Sequence, residues 1–229
     1  MMHRVSARPP RALFLLTSLA LAAALAWPRG AHAGAQAEEY LAPSVVAGLA
    51  AAVADQPVPP SYAQRPEVAR WIAEKSPLLA SRLPGAAERA DLLATVHYEA
   101  TRAALEPDLV LAVIHHESAF RKYAVSSADA RGYMQVMPFW TRLIGTSQQN
   151  LFHLRTNLRY GCTILRHYLG LESGDLYRAL GRYNGSTGRP EYPSAVMAAF
   201  ARYHEPPVEV QQAQQSQFAL VPASASVRR

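Results

Sequence analysis

Apolar residues recur at helical intervals through the middle of the chain. Leu92, Leu93, Val96, Ala100 and Ala103 fall on one face of a helix predicted over about 86–104. Pro107-Asp108 opens a second helix running to about Phe120, and its Leu109–Ile114 stretch is apolar at every position. Pro138 opens a short helix with Trp140, Leu143 and Ile144 apolar, ending at Gly145. Thr156-Asn157 is the expected cap of a longer helix through Leu158, Gly161, Leu165 and Tyr168, stopping near Gly170. Asp175 starts another that ends at Asn184-Gly185, and Pro190 or Pro193 opens a last one through Val196 and Phe200 to about Tyr203. The loop 123–136 leaves room for a short β-hairpin and nothing larger. The expected fold is therefore mainly α, a compact helical domain over 86–204.

The flanks lack this regularity. Residues 34–85 read as a linker or N-terminal arm with a short helix over 42–53, because Pro57, Pro59 and Pro60 break any continuous element. Pro66 can open a further helix carrying Val68, Ile72 and Leu79. Residues 205–229 are rich in Gln, Ser, Ala and Val without a sustained apolar face, which predicts a disordered tail. At the other end Arg4, Arg8 and Arg11 precede a 16-residue apolar or small-residue run, Ala12–Trp27, and then Ala31-His32-Ala33. Basic, apolar and small-residue segments in that order predict a secretory signal cleaved after Ala33. The run falls short of the roughly 20 residues that span a bilayer, so no stable membrane anchor is expected after cleavage. The expected location is periplasmic or otherwise exported.

Charge changes meaning once that signal is set aside. The full chain has 23 basic and 17 acidic residues, but residues 1–33 hold four arginines and no acid. The remaining 19 basic against 17 acidic residues leave +2. No basic stripe with interleaved aromatics is present, so a nucleic-acid partner is not expected. A mildly cationic exported protein suits an anionic polymer or envelope surface. The single cysteine, Cys162, allows no intramolecular disulfide and sits in a helical pattern as a small hydrophobe.

The candidate chemistry lies where the apolar run stops, at His115-His116-Glu117-Ser118. A carboxylate beside a buried run faces a low dielectric, and near a helix C-terminus it also meets the negative end of the dipole. Both raise its pKa, which is how glutamate becomes a general acid. The histidines do not complete a zinc motif: a residue one turn after His116 would have to be His, and it is Phe120. No metal and no cofactor are expected. Ser118 lacks a nucleophile elbow, so it is expected as a hydrogen-bond partner. No second carboxylate is obviously paired with Glu117.

Glu117-Ser118-x-Phe120, Ala124-x-Ser126, Ala130-x-Gly132-Tyr133-Met134-Gln135-x-Met137-Pro138 and Tyr183-Asn184-Gly185 together resemble the lytic murein transglycosylases of the soluble (SLT) type, glycoside hydrolase family 23. The resemblance covers about residues 88–200 and implies a lysozyme-like fold. It also implies cleavage of the β-1,4 bond between N-acetylmuramic acid and N-acetylglucosamine in peptidoglycan without water. Glu117 would protonate the leaving oxygen and then take the proton of the muramyl 6-hydroxyl, which closes a 1,6-anhydro ring. A retaining hydrolase needs two carboxylates roughly 5 to 5.5 Å apart. A substrate that supplies its own nucleophile needs only one.

By the same resemblance Ser118 would hydrogen-bond near the glutamate, while Met134 and Gln135 would line the cleft against sugar and acetamido groups. Tyr183 would bring its hydroxyl near Glu117 or the acetamido group, and Asn184 would support the turn. Tyr133, Asp129, Arg182 and the run Gly185–Pro190 depart from the family pattern without removing a catalytic group. The expected partner is the peptidoglycan glycan strand. Two alternatives stay open: a hydrolytic muramidase of the same fold, and a non-catalytic glycan-binding accessory of an envelope-spanning secretion apparatus.

Overall fold

A computed structural model describes residues 36–204; the signal segment and the tail expected from the sequence lie outside them. The helices, in chain order, are α1 (Pro43–Ala52), α2 (Pro66–Leu79), α3 (Ala86–Arg102), α4 (Pro107–Ser118), α5 (Phe139–Ile144), α6 (Leu154–Leu171), α7 (Leu176–Asn184) and α8 (Glu191–His204), with a 3-10 turn at Tyr62–Gln64. The only pleated pairing among the described residues is two isolated antiparallel bridges, Val125 to Arg131 and Arg131 to Val136. The mainly α class and the minimal hairpin expected at 123–136 are what the fold contains.

The element at the centre is α4. Leu109 to Ile114 are all buried, so this helix is enclosed all round rather than amphipathic. It packs against α8 on one side and α3 on another. It stops abruptly. Ala119 adopts φ 50° and Phe120 φ 65°, and the Ala119 amide closes on the His115 carbonyl. Two successive non-glycine residues in the left-handed region cost on the order of 1 to 2 kcal/mol each. Burial of Phe120 offsets part of that cost and throws the chain back over the helix end.

The segment expected as a linker or N-terminal arm is, over its described residues 36–85, packed onto the helical domain. Leu49, Val53, Leu79 and Leu83 are buried in the same core as α4, and Tyr62 and Val68 are buried as well. Lys75 of α2 is 3% exposed; it donates to the Tyr203 carbonyl at 2.6 Å and stands 3.5 Å from the Asp108 carboxylate. Asp108 also accepts the indole N–H of Trp71 at 2.7 Å. The α2 helix is thus tied to the start of α4 and the end of α8. Prolines 57, 59 and 60 do interrupt helices, but interruption of helix is not loss of packing. Apolar residues in short, separately oriented pieces show no common period, which is why the sequence pattern concealed them.

Candidate active site

Glu117 sits in the last turn of α4, one residue before the helix ends. Part of its side chain remains open to solvent. The protein packed about the carboxyl is nevertheless dense enough for desolvation to dominate, and it pushes the pKa up to about 7. Two polar neighbours work against that rise: Tyr192 donates its hydroxyl to Glu117 Oε1 at 2.6 Å, and the Asn184 side chain favours the carboxylate more weakly. No charged group contributes to the shift. A carboxyl in this state carries its proton at mildly acidic pH and holds it loosely enough to give it up.

Three helix ends meet here. Asn184 is the last residue of α7, where Gly185 at φ 71° takes the left-handed cap that a side chain would resist. Asp175 caps the start of the same helix by accepting the Arg178 amide at 3.0 Å. Tyr192 lies in the first turn of α8, and the packing of α8 along α4 brings its hydroxyl to the glutamate. Burial raises the Tyr192 and Tyr183 phenols well above their usual range, and the nearby Glu117 charge adds to both.

The second part of the site is the segment 124–136. Ser126 Oγ accepts the amides of Ala128 at 3.2 Å and Ala130 at 3.1 Å, closing a tight turn in which Asp129 has φ 67°. Asn157, fully buried on α6, organises the residues beyond that turn. Its Nδ2 donates to the carbonyls of Arg131 and Leu151 at 2.8 and 2.9 Å, and its Oδ1 accepts the Met134 amide at 2.8 Å. Tyr183 donates its hydroxyl to the Met134 carbonyl at 2.7 Å. Gly132 has φ 76°, and a Cβ there would stand 2.4 Å from Asn157 Nδ2. Gly161, one turn beyond Asn157, admits the Met134 side chain; a Cβ there would lie 2.4 Å from its sulfur.

These contacts revise several expected roles. Ser118 does not bond the glutamate: its buried hydroxyl donates to the Ile114 carbonyl at 3.2 Å, one turn back. The Met134 side chain is fully buried against α6 rather than lining a cleft. Gln135, at φ 48°, spends its side-chain amide on the carbonyls of Ala124 and Gly132, at 3.1 and 3.0 Å. Tyr183 holds the Met134 backbone and reaches the glutamate only through the field between them. Asn184, expected to support the turn, also favours the Glu117 carboxylate. Asn157 is no cap, since α6 begins at Leu154 after His153.

Tyr192 and Asn157 are two positions of the candidate site whose contacts the sequence did not show. Tyr192 had no local signal, being a single tyrosine between Glu191 and Pro193 and 75 residues from its partner. The histidines behave as neighbours. Their rings stack at 5.3 Å, and His115 accepts or donates to the Tyr203 hydroxyl at 2.9 Å. Burial, then Arg82, hold the His115 pKa down at about 4. Among the described residues no three His, Cys, Asp or Glu side chains are grouped to hold a metal ion.

A helical domain that presents one high-pKa carboxyl at the end of its buried central helix has the makings of a general acid. Residues 95–201 match the family described as the transglycosylase SLT domain. The chain is also similar to a solved structure of an inactive glutamate-to-glutamine mutant of the lytic transglycosylase Slt from Pseudomonas aeruginosa. Identity is 25% and the TM-score 0.44, over 48% of this chain and 23% of that one. The chain therefore matches less than a quarter of the length of that protein.

Proposed function

We propose that this protein is an exported lytic transglycosylase that cuts peptidoglycan glycan strands between N-acetylmuramic acid and N-acetylglucosamine. The observation that carries the reading is Glu117: a carboxyl raised to about 7 by desolvation, with no charged neighbour contributing to the shift. Near neutral pH such a group can act first as acid and then as base. In the first step Glu117 gives its proton to the glycosidic oxygen leaving with N-acetylglucosamine, and the bond from that oxygen to the muramyl C1 breaks. The 2-acetamido group of the muramyl residue supports the positive charge at C1. In the second step the muramyl 6-hydroxyl oxygen bonds to C1 and its proton passes to the Glu117 carboxylate. The acid is regenerated and no water is consumed.

Tyr192 and Asn184 are positioning residues in this reaction. The Tyr192 hydrogen bond and the neighbouring Asn184 side chain favour the ionised carboxylate, which is the state between the two proton transfers. Tyr183 and Asn157 fix the backbone of 131–134. The order of basic, apolar and small-residue segments at the start of the sequence supports export to the compartment that holds the substrate. The test is release of soluble glycan fragments from purified peptidoglycan by the wild-type chain and by Glu117→Gln. Loss of about a thousandfold or more in rate is expected for removal of the only acid; full activity in the variant would overturn the reading.

A further inference from the structure

The loop that joins Asn184 to Tyr192 also walls a cavity of about 590 Å³. Its volume lies well within the range of small-molecule sites. Gly181 of α7, with Pro190 and Pro193 at the start of α8, supplies an apolar floor. A Cβ on Gly181 would meet Pro193 and Thr187 at 3.7 Å, an ordinary contact, so the glycine leaves the floor open rather than tightly packed. Gly181 lies about one helical turn before Asn184, and Pro193 directly follows Tyr192. The cavity therefore begins next to both of the groups that act on Glu117. The run Gly185–Pro190, which forms its wall, is also where this chain departs from the family pattern.

The polar groups lining this cavity are open to solvent. Tyr177 is 42% exposed; its hydroxyl donates to the Pro190 carbonyl at 3.2 Å and pairs with Ser194 Oγ at 2.9 Å, which fixes the ring. The Arg178 side chain is 70% exposed and gives its Nε to Glu172 at 2.6 Å, so both of its Nη groups remain available. Glu172 spends its other oxygen on Arg182 at 2.8 Å, and its charge is thus answered twice. Arg189, on the loop, is exposed and forms no salt bridge with a described residue. The cavity therefore offers a fixed aromatic ring and two prolines, with guanidinium donors in excess of acceptors. A guanidinium fork matches a carboxylate in both shape and charge.

We propose that this cavity binds the acidic peptide carried by a muramyl residue of the glycan strand, with its carboxylate on Arg189 and Arg178 and its body against Tyr177. The inference rests on the reading of Glu117 as the acid of glycan cleavage. Where the muramyl carboxyls are amide-linked to peptides, the carboxylates of such a strand belong to those peptides, so they are what a cationic cavity can select. Three peptide residues span about 10 Å. That is enough to run from a muramyl residue at Glu117 to a cavity whose lining begins beside Asn184 and Tyr192.

Calorimetric titration of the full chain carrying Glu117→Gln with N-acetylmuramyl-L-alanyl-D-glutamate tests the cavity without turnover. Saturable binding of one ligand per chain is expected, weakened at least about tenfold when the ligand's carboxylates are amidated, and by a similar factor when Arg189→Ala is added. Arg189→Lys, which keeps the charge but not the fork, should fall between. With Glu117 intact, kcat/KM on purified peptidoglycan should drop about tenfold once the peptide carboxyls are amidated, and Arg189→Ala should reduce that preference below about threefold. No saturable binding up to about 10 mM, equal affinity for the amidated ligand, inorganic phosphate binding as tightly as the muramyl peptide, or a preference undiminished in Arg189→Ala would each overturn the proposal. The reading of Glu117 fails separately. Glycan release without any preference strikes the cavity alone, and if neither peptidoglycan is cut, the titration still decides whether the cavity takes the peptide.

Discussion

Glu117 has two consequences at the scale of one residue. In the proposed reaction its acid form is the working form, so activity should fall as pH rises through about 7. Tyr192→Phe removes a hydrogen bond that favours the carboxylate; it should move that falling limb to higher pH, by up to about one unit, while lowering the rate about tenfold. A rate loss with an unmoved limb would mean that Tyr192 does not act on the acid. The second consequence concerns stability. An unfolded chain releases this proton near the ordinary glutamate value of 4.5, and the folded one keeps it to about 7. Between those values the unfolded state binds fewer protons, so stability falls with rising pH and stays reduced above. Glu117→Gln should therefore stabilise the fold at pH 8 by up to about 2 kcal/mol, after discounting for partial solvent access, and scarcely at all at pH 4. Urea unfolding at the two pH values decides it; equal gains at both would contradict the linkage. The sequence displayed this residue plainly, since an apolar run stopping at a glutamate needs no tertiary information to read. Its partner Tyr192 did need it, because only the docking of α8 on α4 joins them.

At the scale of elements, α6 acts as a beam. The side that carries Asn157 and Gly161 sets the 131–136 segment. Asn157→Ala would strand the Met134 amide and the carbonyls of Arg131 and Leu151 and should cost about 2 to 4 kcal/mol. Hydrogen exchange should locate the added opening at 131–136, with the helices little affected; uniform loss of protection would argue against a local clamp. Gly161→Ala should disturb the same segment by pushing Met134 outward. The helix boundaries were largely legible, from Pro107, Asp175 and Gly185, because caps are local chemistry. The roles within the loop were not. Whether a methionine lines a cleft or fills a core depends on the glycine opposite it, and that glycine belongs to another helix.

At the scale of the molecule, the N-terminal helices complete the core. A chain beginning at residue 86 would lose Leu49, Val53, Tyr62, Val68, Leu79 and Leu83 and leave Asp108 without Lys75 and Trp71. Each large apolar side chain lost is worth roughly 1.5 to 3 kcal/mol, so the truncated chain should lack a cooperative thermal transition. A transition like that of the longer chain would show these helices to be dispensable. Their prolines masked this in the sequence, whereas the central domain announced itself through periodicity. The lone carboxyl also gains its meaning at this scale, since the proposed reaction takes its nucleophile from the glycan. Mass analysis of the products from purified peptidoglycan tests that claim most directly: 1,6-anhydromuramyl ends are predicted, and reducing muramic acid ends as the main product would contradict it.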